Sequence, residues 1–362
     1  YYGLIAREQT TRFTGGSDLY RSLIMAFDKP FLDLDKQLDL LESRNLVITN
    51  RDRAKRLIMT SSYYDLINGY KSVFMSSNDK FKPNVQLEDI YIFSFIDKGI
   101  QSITMKYSLM IETLFKTRLS YVISNHLGVH QDDYLHARYY KRQINHLSFA
   151  KVKQEINKQL DICNAKQPTK YYLKHHNHVP PWILFKNISF GSAINIFRLL
   201  STKHKREVAN LLLPTDLITC KDKIELLINT LEAIRRFRNC AAHSLNFFGC
   251  RSVYNIPGNI LYTIVPNGVL KREKGEITSR DKKSLKGIYG VLIMTALLLN
   301  DKLLVSSLIA ECRGVFKPEV SGDDDSKHIV DLINELKQKY KEATQIPIDF
   351  IDRLEIIYKS IT

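Results

Sequence analysis

Apolar residues recur every three to four positions along most of this chain, the spacing that lines one face of an α-helix. Over residues 32–46 the apolar positions Leu34, Leu38 and Leu41 are separated by acids and lysines and predict a first helix. Thr49, Asn50 and Asp52 offer side-chain oxygens to cap a second, which carries Ala54, Leu57 and Ile58. The segment SSYYDLINGYKSVF (61–74) follows, with Gly69 as a helix stop, and its aromatics are expected to pack the N-terminal part against the rest. Pro83 and Asn84 mark a linker. A long helix is predicted from Leu87 to about His126, with Gly128 beyond its end. Then come a basic helix over 144–163, an aromatic loop YYLKHHNHVPPW (171–182), a helix over 182–200 introduced by Pro180 and Pro181, and a short one over 203–213.

The next helix differs in how it ends. Thr219 or Asp222 can cap it, and Ile224, Leu227, Ile228, Leu231 and Ile234 form its apolar stripe. One further step of four reaches Arg238, so the face that enters the core delivers a guanidinium at its end. Burying such a charge without a partner is costly. Over 249–275 the pattern alternates and holds PG and NG turn signals, which reads as a β-hairpin or irregular insertion. A helix over 284–312 is apolar on nearly every side and should be central. GDDDS (322–326) is a linker and cap before two last helices, 327–344 and 348–360. The expected fold is mainly α.

Composition supports a sizeable core: 44% of residues are hydrophobic and 25% charged, with 15 Gly and 10 Pro in 362 residues. Lys and Arg number 53 against 38 Asp and Glu, a formal charge of +15. That excess makes a polyanion the natural partner, or else forms a solvated basic surface; it does not separate RNA from DNA or from an anionic membrane. The five cysteines (Cys163, Cys220, Cys240, Cys250, Cys312) form no CxxC pair, which argues against a disulfide framework or a zinc site. No signal peptide is visible, and the longest apolar run, 291–299, is too short to span a bilayer. A cytoplasmic location away from membranes is expected, with allowance for residues missing before Tyr1. NTPase, dinucleotide-binding and α/β-hydrolase motifs are absent.

The candidate chemistry lies in RNCAAH, Arg238 to His243. Cutting RNA without a metal requires deprotonating a ribose 2′-OH, neutralising a crowded phosphorane and protonating the 5′-oxygen. A histidine exchanges protons near neutral pH, and an arginine holds non-bridging oxygens with a fixed fork of donors. The spacing alone carries little weight. On an ideal helix residues five apart point about 140° away from each other. The pair converges only if the helix ends or distorts before His243, or if two subunits face each other; the small Ala241 and Ala242 allow close approach. An alternative stands equal on the residues alone, in which Arg238 pairs with a buried carboxylate and His243 caps the helix.

RN-x-x-AH at such a position resembles the R-x4–6-H signature of HEPN domains. KPFLDLDKQLDLLESRNLVI (29–48), YYDLINGYK (63–71) and the stretch 91–121, including MIETLFKTRLSY, resemble AbiF/AbiD-like abortive-infection proteins. The resemblance covers roughly residues 29–248. It implies an N-terminal helical Abi-like module (1–85), a HEPN helical domain (86–312) with an insertion at about 249–280, and a C-terminal helical extension (313–362). It also implies a toxin-like, metal-independent endoribonuclease of anti-phage defence that leaves a 2′,3′-cyclic phosphate and a 5′-OH. HEPN motifs usually pair across an interface, and this chain has one copy, since Arg142 and His146 stand one residue too close; a homodimer is therefore implied. Carried over by position, Arg238 and His243 are catalytic, with Asn239 orienting them and Glu112 buttressing Arg238. Glu112 could equally be an exposed i,i+4 partner of Lys116. Some HEPN toxins carry a modifiable tyrosine two residues after the histidine; here that position is Leu245.

RNA is the expected partner, as substrate and in the form of a non-coding RNA antitoxin, with no cofactor and no metal. Candidate RNA contacts are Arg235, Lys203, Lys205, Arg206, Lys174, His175, His176, Lys271 and Arg272, with the cluster 280–283 beside them. His175 and His178 could instead hold a metal, though no cysteine is near. Tyr171, Tyr172 and Trp182 could stack unpaired bases or simply pack in the core. A competing function of another class is a non-catalytic RNA-binding or scaffolding protein.

Overall fold

The longest apolar pattern becomes a single helix of 41 residues, Leu87–Leu127, in a computed structural model that describes residues 31–76, 79–243, 246–317 and 327–361. At 1.5 Å per residue this spine is ~60 Å long. It starts in a capping box, where Asp89 Oδ2 accepts from the Gln86 amide at 2.9 Å. It ends at Gly128, whose φ of +99° suits glycine, and a Cβ there would lie 3.1 Å from Asp133 Cβ. Against the spine pack Pro181–Asn187, Thr202–Leu212, Cys220–His243, Ile288–Leu299 and Lys327–Thr344. The architecture is mainly α, with seventeen α-helices and two short antiparallel hairpins among the described residues. No described helix is long and apolar enough to cross a membrane.

The two N-terminal helices form where spacing, and for the second its cap, predict them. Asp33 accepts from the Lys36 amide at the head of Leu34–Ser43, and Asn50 from the Arg53 amide at the head of Arg51–Ser61. Gly69 is not a stop: a π-helical turn, Tyr64–Asn68, runs straight into Gly69–Phe74. Burial of Leu66, Ile67, Tyr70 and Phe74 outweighs the ~1 kcal/mol that glycine costs inside a helix.

Four other expectations change. The basic helix begins at Phe149, because Gln143–Ile144 pairs with Leu147–Ser148 in a hairpin turned at Asn145, φ 50°. The aromatic loop is partly a helix, Thr169–His176, closed by Asn177 in the left-handed conformation. The helix expected over 182–200 is two, Pro181–Asn187 and Phe190–Leu199, with Ser189 Oγ capping the second through the Ser192 amide at 3.0 Å. The helix expected over 284–312 is two, Ile288–Leu299 and Lys302–Phe316, separated by left-handed Asn300 with Asp301 capping the second, and the short polar helix Ser279–Ser284 precedes them. Ile288–Leu299 is buried almost all round and central, as its composition requires.

In the insertion, the alternating pattern yields a helix, Gly258–Ile264, and only the short hairpin Arg272–Glu273 with Glu276–Ile277. With no sheet to extend, burying Leu261 on a helical turn satisfies the backbone locally. The cap expected at 322–326 lies outside the described residues. Lys327–Thr344 and Phe350–Ser360 complete the chain.

One hydrophobic cluster extends from Leu38 to Ile361. Within it lie two buried polar nodes. Asp97, fully buried, accepts from Tyr340 Oη (2.8 Å), the Phe247 amide (2.7 Å) and Tyr70 Oη (3.0 Å). Burial pushes its carboxyl above the ordinary range, against the pull of these three donors. Arg353 reaches Asp281 Oδ2 (2.8 Å), Asp349 Oδ1 (2.9 Å) and the Val269 carbonyl (3.1 Å), tying the insertion to the last helix. Replacing Asp97 with Ala strands three buried donors and is expected to cost on the order of 3 kcal/mol, with Tyr70→Phe costing about 1 kcal/mol. Urea denaturation measures both, and an unchanged midpoint for Asp97→Ala contradicts the proposed weight of this node.

Candidate active site

The helix Cys220–His243 starts where Thr219 Oγ1 accepts from the Asp222 amide at 3.2 Å. Leu227, Leu231, Ile234, Phe237 and Ala241 are buried along it, whereas Ile224 and Ile228 fall at the edge of the stripe. It runs antiparallel to the spine, since Ala241 meets Gln101 through a 2.6 Å bond from Gln101 Nε2 to its carbonyl, and Arg238 meets Glu112. Arg238 therefore emerges at the rim of the core with its side chain 32% exposed.

Glu112 holds the centre of the constellation. Its Oε1 accepts from Lys116 Nζ at 2.6 Å, and its Oε2 stands 3.9 Å from Arg238 Nε. The second contact is beyond hydrogen-bond reach, and both of its atoms are buried without a hydrogen-bond partner, so it is an electrostatic contact only. Glu112 is thus both the i,i+4 partner of Lys116 and the carboxylate facing Arg238, and it is largely buried rather than exposed. Arg238 Nη1 donates to Asn239 Oδ1 at 3.3 Å. Lys116 also donates to the Ile188 carbonyl at 2.7 Å, an acceptor freed by the break between Pro181–Asn187 and Phe190–Leu199.

Two adjoining clefts share Glu112, Lys116, Lys186 and Arg238. The larger, about 750 Å³, continues past Leu109, Thr113, Tyr172, Trp182 and Phe185. The other, about 610 Å³, continues past Gln159, Ser189, Gly191, Arg235 and Asn239. Arg235 is braced there by Glu232, whose Oε2 accepts from its Nε at 2.8 Å, while Glu232 Oε1 lies 3.5 Å from Arg198. Such an arrangement can hold a phosphodiester on fixed cations at the junction and leave room for a nucleotide on each side.

His243 lies elsewhere. The helix continues unbroken to His243, which is exposed and lines neither cleft. The helix neither ends nor is interrupted before His243, so the ~140° splay of an ideal helix applies to the pair. The chain beyond is pinned: Asn246 Nδ2 donates to the Gly69 carbonyl at 2.8 Å and the Phe247 amide to Asp97. Cys250 is linked to Cys240 by a hydrogen bond that, with burial, pushes its thiol up. Leu245 lies outside the described residues.

The remaining predicted contacts are dispersed. Lys205 requires correction: it is buried, and its Nζ donates to the Arg198 carbonyl at 2.9 Å near the end of Phe190–Leu199, so it closes a helix and offers no free cation. Lys203 is exposed, and Arg206 Nε donates to Cys220 Sγ at 3.3 Å. Lys174, His175 and His176 are exposed on the last turn of Thr169–His176, with the His175 ring 4.5 Å from that of Tyr171. Lys271 pairs with Asp349 at 3.0 Å, and the Arg272 guanidinium lies 3.6 Å from the Tyr262 ring centre. None of these lines either cleft. Among the described residues no three His, Cys, Asp or Glu side chains group closely enough to hold a metal ion. Sequence reasoning missed Lys116 and Lys186 as cleft cations; the visible signals were the i,i+4 steps from Glu112 to Lys116 and from Trp182 to Lys186.

A family model described as Abi-like protein matches residues 56–249, more than half of the chain, and this segment includes Glu112, Arg238 and His243. No curated protein and no solved structure matches the chain.

Because Glu112 is the carboxylate that both cations face, Glu112→Gln is expected to tighten polyanion binding about fivefold at low salt, with a steeper salt dependence. Fluorescence anisotropy with labelled heparin reads this; equal affinities would mean that Glu112 does not attenuate the cleft's positive field.

Proposed function

The chain belongs to the Abi-like protein family, and from there we propose that it is a metal-independent endoribonuclease of the HEPN type. Membership supports an abortive-infection protein and is compatible with a nuclease role. The observation that carries the finer reading is the placement of Arg238 at the junction of two clefts, beside Lys116 and Lys186 and facing Glu112.

In the proposed reaction the His243 imidazole takes the proton of a ribose 2′-OH as O2′ attacks phosphorus. The P–O5′ bond breaks and O5′ takes the proton from the imidazolium so formed, leaving a 2′,3′-cyclic phosphate, a 5′-OH and a neutral His243. Arg238 neutralises the non-bridging oxygens as charge builds on the phosphorane. Glu112 and Asn239 restrict the guanidinium. Because His243 and Arg238 leave one helix on different sides, the working unit is a homodimer in which a second copy supplies the missing side chain. The basic excess of the chain also suits a non-coding RNA antitoxin that holds the toxin inactive until infection.

A second reading, RNA binding or scaffolding without cleavage, is favoured by one observation: within a single chain, His243 stands outside the clefts. Incubating the protein with RNA in EDTA separates the two. Cleavage is expected to persist without divalent metal and to fall about 100-fold or more in both Arg238→Ala and His243→Ala. Co-expressing the two inactive variants is expected to restore part of the activity, because a mixed dimer retains one intact Arg238 and one intact His243 on different chains. Metal-dependent cleavage, or cleavage that survives both substitutions, contradicts the mechanism; tight binding with no cleavage favours the scaffold.

A further inference from the structure

We infer that the larger cleft is a nucleobase subsite, in which an unpaired base of single-stranded RNA stacks on Trp182 while its neighbouring phosphate lies on Arg238, Lys116 and Lys186. The inference rests on the reading of the junction as an RNA site and assigns the class of RNA that fits it.

Trp182 belongs to the short helix Pro181–Asn187, where Pro181, Ile183, Leu184 and Phe185 are all buried. Trp182 and Lys186, four residues apart, share its solvent face, and Trp182 is 45% exposed. An indole half in water forgoes much of the stabilisation that burial gives a large aromatic. Yet the ring is held: its Nε1 donates to Tyr172 Oη at 3.3 Å, and the Tyr172 ring lies 5.1 Å from that of His176. Tyr171, by contrast, packs on His175 and does not line the cleft. The result is a preset aromatic surface beside Lys186, with Lys116 and Arg238, both restrained by hydrogen bonds, in the same cleft.

The spine supplies the opposite wall. Leu109, Thr113 and Thr117 follow one another at one-turn intervals, giving an apolar contact and then hydroxyls. Thr113 donates its proton to the Leu109 carbonyl at 3.0 Å, which leaves its oxygen free to accept from a base edge. A volume of about 750 Å³ lies within the range of roughly 300–1,000 Å³ usual for small-molecule sites. Glu112 is the sole carboxylate of the lining, which disfavours a basic peptide as occupant. Bases in a duplex are already stacked and paired, so a splayed single strand is the form that offers a free base face beside its phosphate.

Trp182 is the only tryptophan of the sequence, so fluorescence excited beyond the tyrosine absorption band reports this surface alone. The full chain is titrated in EDTA with a 2′-O-methyl oligouridylate, which binds and resists cleavage. The controls are an abasic strand of equal length and a blunt RNA duplex. Saturable quenching by the oligouridylate is expected, with little from the abasic strand even where anisotropy shows it bound. Trp182→Ala is expected to weaken oligouridylate binding about tenfold, and Trp182→Phe to restore most of it, both with unchanged thermal unfolding. Equal quenching by the abasic strand, or wild-type affinity in Trp182→Ala, overturns the subsite. The two readings fail separately: quenching without any RNA cleavage keeps the subsite and removes the nuclease, whereas cleavage with wild-type KM in Trp182→Ala keeps the nuclease and removes the subsite.

Discussion

The carboxylate of Asp97 joins four stretches of chain that are far apart in sequence. Tyr70 reaches it from the N-terminal helices, Tyr340 from near the C-terminus and the Phe247 amide from just beyond the RNCAAH motif, while Asp97 itself sits on the spine. A buried acid of this kind is tolerable only when both of its oxygens are hydrogen-bonded, and three donors do that here. The consequence reaches the candidate site. Four residues after His243 the backbone is fixed to the spine, and two residues before it the Ala241 carbonyl is fixed to Gln101. The stretch that carries His243 is therefore anchored before and after it, and His243 itself is exposed and lines neither cleft.

What the residues disclosed by themselves was the periodic part of the molecule. The spine, the two capped N-terminal helices and the stripe that ends in Arg238 follow from spacing and capping chemistry, which are local. Where the chain misleads, a non-local term decides. Gly69 stays helical because the residues around it are drawn into the core, and the alternating insertion coils into Gly258–Ile264 because no sheet awaits it. The divisions at Ile188–Ser189 and at Asn300 interrupt continuous apolar runs that periodicity alone reads as single helices.

The site was legible in a similar measure. Arg238 and Glu112 stand opposite each other, whereas Lys116 was visible only as a neighbour of Glu112, and Lys186 carried no mark apart from its step from Trp182. Clustered charge misled most at Lys205, since a lysine within KHKR looks like surface until its neighbours bury its stem and turn its amine to a helix end. In the insertion, Lys271 is paired with Asp349 and Arg272 lies over the Tyr262 ring.

The unbroken helix through His243 has a bearing on dosage. Under the proposed mechanism a lone chain is chemically incomplete, so turnover rises with the square of the number of copies while copies are scarce and becomes linear once they associate. Leaky synthesis of a few molecules is then tolerated by the host, and a modest increase in abundance suffices to cross from dormancy to damage. The pitch of one helix sets that threshold, and a bound RNA antitoxin raises it.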